Sequence, residues 1–173
     1  NPGSMAAVLG LDADQVDGVC RQASASSGGI VQLANDNCPG QVVISGDAAA
    51  LQAAAEGLKA AGARKVIRLA VSIAAHSPLM APAQERLNRA IESADLRDPA
   101  RPIVGNVEAD LLPSAAAIRR DLSLQLMSRV RWTESVRYMA ERGVTTSVEI
   151  GPGSVLTGLV KRIIPSAEAI SLD

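Results

Sequence analysis

The chain has 173 residues, of which 47% are apolar, 20% charged and 1% aromatic, with a formal net charge of −1. That length suits one ordinary domain or two small ones, and the composition is globular rather than disordered. The small net charge gives no reason to expect nucleic acid, and a chain whose aromatics are Trp132 and Tyr138 has no surface on which bases could stack.

No apolar run reaches the length of a membrane span, because "VIRLAVSIAA" is interrupted by Arg68. No secretory signal is evident, and Cys20 and Cys38 stand in neither a CxxC nor a metal-like spacing. Two reduced structural thiols in a cytoplasmic protein are expected, with no metal. The opening "NPGSM" reads either as a vector-derived leader before Met5 or as the interior of a longer chain.

In chain order, "MAAVLGL" (5–11) predicts a short strand, and Asp12 caps a helix that runs to about Ser24. "IVQLAND" (30–36) alternates as a half-buried strand does. "NCPG" is a turn, "QVVISG" (41–46) a second strand of that hairpin, and Asp47 caps an alanine-rich helix closed by Gly62. "KVIRLAV" (65–71) follows as a strand. Strand, helix, strand, strand, helix, strand is the ferredoxin-like pattern, with two helices on one face of an antiparallel sheet.

Beyond the histidine the pattern changes. Residues 78–94 suit a helix, with Pro78 in its first turn. "RPIVGNV" (101–107) predicts a strand, 114–127 and 133–142 amphipathic helices, "TSVEI" (146–150) a strand, 154–163 a helix and "EAISL" a last strand. Alternating strands and helices imply parallel pairing in a larger α/β layer. The reading is α/β (α+β), with a small unit over 5–71 and a second over 72–173. Three strands make a thin sheet, so the second unit is expected to be part of a domain.

The one histidine, His76, closes the apolar run "VSIAAHSPLM" between a strand and a helix start. Most lone histidines are structural. This position, though, is where α/β enzymes expose catalytic groups, and an imidazole accepts and returns a proton near neutral pH. A base needs a nucleophile, and the chain contains no GxSxG elbow. Ser77 reads as a cap for the helix that Pro78 opens.

"VSIAAHSPLM" resembles the histidine motif of the malonyl-CoA:acyl carrier protein transacylases. "SMAAVLGLD", "LANDNCPGQVVISG", "RPIVGNV", "QLMSRVRWTESVRYM" and "VEIGPGSVLTGLVKRI" resemble other parts of that family in the same order. The resemblance implies a ferredoxin-like subdomain followed by the C-terminal part of an α/β-hydrolase-like acyltransferase domain. It implies ping-pong transfer of a malonyl group from malonyl-CoA to the phosphopantetheine thiol of acyl carrier protein, in fatty acid biosynthesis, with no cofactor. His76 takes the place of the family's proton carrier. Gln125 stands where a backbone carbonyl orients that ring, leaving Nε2 free as the base. Asn35 and Asn37 match asparagines of the family's cleft, while Gln41 and Lys65 align near positions that touch CoA. Arg64, Lys65, Arg68, Arg119, Arg120, Arg129, Arg131, Lys161 and Arg162 would rim the site for an acidic carrier protein.

The family's serine elbow is missing, as are its malonyl-binding arginine and its N-terminal glutamine loop. In the family the serine precedes the histidine by more than the seventy-five residues that precede His76 here. A truncated chain, a proteolysed one, or a split enzyme completed by a complementary chain would each explain this. The 173 residues alone are expected to be inactive. Two alternatives are a carrier-protein-binding fragment without catalysis and an acyltransferase domain of a polyketide synthase.

Overall fold

A computed structural model of the chain describes residues 3–172. The first unit is built from β1 (Gly3–Leu9), α1 (Ala13–Ser27), β2 (Val31–Cys38), β3 (Gln41–Asp47), α2 (Ala48–Ala60) and β4 (Lys65–Arg68). The strands lie in the order β2-β3-β1-β4, all antiparallel, which is the ferredoxin-like arrangement. Met5 pairs with Ser45, which pairs with Gln32, and Leu9 pairs with both Gln41 and Lys65.

The strand pattern divides the sheet into two faces. Ala6, Val8, Leu33, Val42 and Ile44 point to one side and are buried under Val16, Cys20, Leu51, Ala54 and Leu58 of the two helices. Burying each Val, Leu or Ile there contributes about 1.5–3 kcal/mol. Met5, Ala34 and Val43 point to the other side, where Leu69 and Ala75 pack on them. The segment leading to the histidine therefore crosses the face that the helices leave open.

Helix α1 starts on a capping box: Asp12 accepts from the Gln15 N–H at 2.8 Å and Gln15 accepts from the Asp12 N–H at 3.2 Å. It extends to Ser27, past the expected end, and stops at Gly28, whose left-handed φ of +68 closes it with an N–H bond to the Ser24 carbonyl. Asp47 precedes α2 as expected but makes no side-chain cap bond; its carboxylate accepts from the Ile30 N–H at 2.7 Å. Strand β4 stops at Arg68 rather than at 71. Leu69 adds one more bond, to the Met5 carbonyl, after which the chain leaves the edge of β1 for the loop that brings Ala74 against Gly3.

The second part begins with a 3-10 turn at Pro78–Met80, then α3 (Ala81–Ser93), α4 (Ala115–Gln125), α5 (Trp132–Glu141), β5 (Thr146–Ile150), α6 (Val155–Ile163) and β6 (Glu168–Leu172). Strands β5 and β6 pair in parallel with α6 as their crossover. Leu159, Val160, Ile163, Val136 and Ala169 form a second core, into which β2 sends Cys38. The strand expected over 101–107 is absent. Pro102 offers no N–H there, and the segment folds back on itself instead, with Val104 making a lone bridge to Leu111. Two strands, not three, thus represent the second sheet. Among the described residues no helix is long and apolar enough to cross a membrane.

Candidate functional site

The site grows from three separate pieces of chain. The first is the loop after β4. Ala74 is buried against Gly3, where an added Cβ would stand 2.5 Å from the Ala74 backbone nitrogen. Only a residue without a side chain lets the loop pass this close. Ser77 is fully buried and its hydroxyl donates to the Ala74 carbonyl at 2.7 Å, closing the loop instead of capping the following helix. Between them His76 takes φ +59, a left-handed conformation that costs a side-chain-bearing residue free energy and recurs at functional positions.

The second piece is the end of α4. A helix leaves its last carbonyls without internal partners. Here the carbonyl of Gln125, the last helical residue, and that of Ser128, in the turn that follows, lie 3.0 and 3.1 Å from His76 Nδ1. Carbonyls only accept, so Nδ1 must carry the proton, and in the neutral ring Nε2 then holds the lone pair. Among the described residues no hydrogen-bond partner meets Nε2. The ring is half-buried.

The third piece is β2. A bulge between Leu33 and Asn35 lets Val130 dock as a single parallel bridge, with the Asp36 N–H donating to its carbonyl at 2.9 Å and its own N–H donating to Ala34 at 2.8 Å. This docking carries the turn after α4 to the sheet. Thr133 adds a bond from its hydroxyl to the Asp36 carboxylate at 2.7 Å.

The structure brings His76 and Gln125 together, through the Gln125 backbone. Asn35 and Asn37 lie on β2 beside the docked turn. Gln41, opposite Cys38 at the Asn37 end of β2, and Lys65 both flank Leu9, four residues along β1 from the Met5 row that carries Gln32, or roughly 13 Å at the rise of a strand. Gln41 is held by Arg162 of α6, which also donates to the Pro39 carbonyl at 3.2 Å. Much of the expected basic rim is engaged within the chain. Arg119 donates to the carbonyls of Ile91 and Ala94, Arg120 pairs with Glu108, and Arg129 and Arg131 share Glu134. Arg64, Lys65 and Lys161 remain exposed.

Three residues that the sequence reading passed over belong to the site: Ser128, Gln32 and Gln84. Ser128 acts through a carbonyl, which no residue type announces. Gln32 donates to the carbonyls of His76 and Met127, and the buried Gln84 grips Leu122 and Leu126 of the same turn. A polar residue facing away from the helices in an alternating strand was the one available signal for Gln32. The cysteines take no part. Burial, with Asp17 nearby, pushes the Cys20 thiol up to about 12, and burial also raises Cys38. Among the described residues no three His, Cys, Asp or Glu side chains are grouped to hold a metal.

An imidazole between strand and helix, with one nitrogen fixed by carbonyls and the other free, has the geometry to carry a proton for a nucleophile. The acyl transferase domain family matches residues 1–172, and the chain belongs to that family. Over 171 residues it is 46% identical to the malonyl CoA-acyl carrier protein transacylase of Bacillus subtilis (strain 168), covering 99% of this chain and 54% of the relative. The crystal structure of an acyl carrier protein S-malonyltransferase from Vibrio cholerae has a TM-score of 0.96 at 37% identity, covering 100% of this chain and 56% of that one. A type II PKS acyl-carrier protein in complex with its malonyl-transacylase gives a TM-score of 0.94 at 43% identity, covering 99% and 55%. The chain spans about half the length of the relatives it matches.

Proposed function

We propose that this chain supplies the proton carrier of a malonyl-CoA:acyl carrier protein transacylase, and that the attacking serine lies in protein outside these 173 residues. The observation that carries the reading is the Nδ1 contact with two backbone carbonyls, which leaves Nε2 basic and partly open.

The reaction then runs in two halves. In the first, Nε2 of His76 takes the serine proton as the serine oxygen attacks the malonyl thioester carbonyl. The C–S bond breaks, and the imidazolium returns the proton to the CoA thiolate, so CoA leaves as a thiol. In the second, the phosphopantetheine thiol of the carrier protein gives its proton to Nε2 and attacks the serine ester. The C–O bond breaks and the serine oxygen is reprotonated. His76 is neutral at the start and end of each half, and no cofactor is consumed. The carbonyls of Gln125 and Ser128 hold the ring and do not titrate.

In this reading Asn35 and Asn37 contact the acyl group or the loop around it, and Gln41 and Lys65, farther along the sheet, contact the CoA portion. Residues 5–71 are the small subdomain and 72–173 the end of the large one. Fatty acid synthesis in the cytoplasm is the expected setting, with malonyl-CoA and acyl carrier protein as partners. The names of the relatives support malonyl as the acyl group.

Malonyl transfer to holo carrier protein tests this. The 173-residue chain alone gives no turnover. The protein that joins it to a serine elbow does, and loses transfer by about a thousandfold or more on His76→Ala, the scale of losing a positioned general base, with carrier binding retained. Serine-dependent turnover by the chain alone, or undiminished transfer by the variant, contradicts the reading.

A further inference from the structure

His76 does not set its own position. Its backbone is in the left-handed region, and the carbonyls that hold its ring belong to residues 49 and 52 positions further along the chain. Loop and turn therefore have to be tied to each other by something else. Gln32 ties them. Its amide nitrogen donates to the His76 carbonyl at 2.7 Å and to the Met127 carbonyl at 3.3 Å. An amide NH2 group has two protons, so both bonds form at once. Met127 lies between Gln125 and Ser128, the residues whose carbonyls meet the ring. Gln32 itself stands in the body of β2, paired with Ser45 of β3. From the opposite side Gln84 of α3 accepts from the Leu126 N–H at 3.0 Å and donates to the Leu122 carbonyl at 3.2 Å. The turn is thus gripped from the sheet and from α3, and neither glutamine hydrogen-bonds the imidazole ring.

We propose that Gln32 is a positioning residue for His76, whose two donated bonds fix the gap between the histidine backbone and the carbonyl-bearing turn and so hold the imidazole in the Nδ1–H form. This rests on the reading of His76 as the proton carrier. Without the two donors, the carbonyls of His76 and Met127 are left to find other partners, and the strained φ at His76 has less to oppose its relaxation. The contacts at Nδ1 then lengthen, and the ring gains access to the Nε2–H form, in which the reactive nitrogen has no lone pair to offer.

One histidine in the chain makes the test direct, because its imidazole 15N signals cannot be confused with any other. Gln32→Met keeps the side-chain length and removes both donors. In the variant, folded by circular dichroism, the Nε2–H form gains population relative to the unaltered chain. In the serine-bearing protein kcat falls roughly 10- to 100-fold with KM changed by less than about twofold, the pattern of a misplaced catalytic group rather than of lost substrate binding. An unchanged tautomer and unchanged kcat overturn the proposal, as does a loss of stability alone. Should Gln32→Met not fold, the side-chain amide protons of Gln32 in the unaltered chain decide: slow exchange with solvent supports the bonds, and exchange at the rate of a free amide overturns them. His76→Ala separates the two ideas, since retained transfer there would remove the proton-carrier reading while the tautomer result still judged Gln32.

Discussion

At the scale of single residues, the contrast between His76 and the two cysteines shows how surroundings select a reactive group. All three side chains carry an atom able to act as base or nucleophile. Cys20 is 1% exposed and Cys38 fully buried, with burial the leading cause that raises both thiols. A thiol held protonated and out of reach is inert, because the thiolate is the reactive species. His76 is half-open and held by acceptors at one nitrogen alone. Alkylation with iodoacetamide at mildly alkaline pH should leave the native chain unmodified and add two groups after denaturation, read by mass spectrometry. Rapid labelling of either cysteine in the native chain would contradict the burial assigned to it.

Elements show where sequence patterns suffice and where they do not. The ferredoxin-like order was readable because β2 alternates, β1 and β3 are short apolar runs, Asp12 and Asp47 precede the two helices, and Pro39 and Gly40 mark the hairpin. The end of β4 was not readable, since β1 continues to Gly3 while the chain after Leu69 turns away into the loop before His76. "RPIVGNV" has the composition of a strand, but its one neighbour is the segment just after it, which gives a single bridge at Val104–Leu111 instead of a ladder. His76 and Gln125 stood out through a family resemblance. Gln32, Gln84 and the Ser128 carbonyl did not, because a single glutamine has no period and a carbonyl is common to every residue. One glycine tests the packing of the hairpin. An added Cβ at Gly46 would lie 2.1 Å from the Ile30 carbonyl oxygen and 2.6 Å from the Val31 Cα, both backbone atoms that cannot move aside cheaply. Gly46→Ala should therefore destabilise the chain by about 3 kcal/mol or more, measured as a lower urea midpoint; a midpoint unchanged from the parent would refute this placement of β2 against β3.

Across the whole molecule, the two parts differ in how well they cover themselves. The four-stranded sheet has a helical layer and a full core. The β5–β6 pair does not: Ile150 is 84% exposed and Val155 71%, with Val148, Leu172 and Ile170 also open. Parallel strands are normally buried on both faces by the helices that connect them, and two strands alone make a marginal sheet. An apolar surface of this kind fits a further part of the protein better than it fits water, in keeping with relatives nearly twice as long. The proposed serine belongs to that further part. Intact-mass analysis of the complete serine-bearing protein after brief exposure to malonyl-CoA tests the pairing of that serine with His76. A covalent malonyl adduct should form on an upstream serine in the parent protein and nearly disappear in His76→Ala. Full acylation of the His76→Ala variant, or an adduct on any residue of these 173, would contradict it.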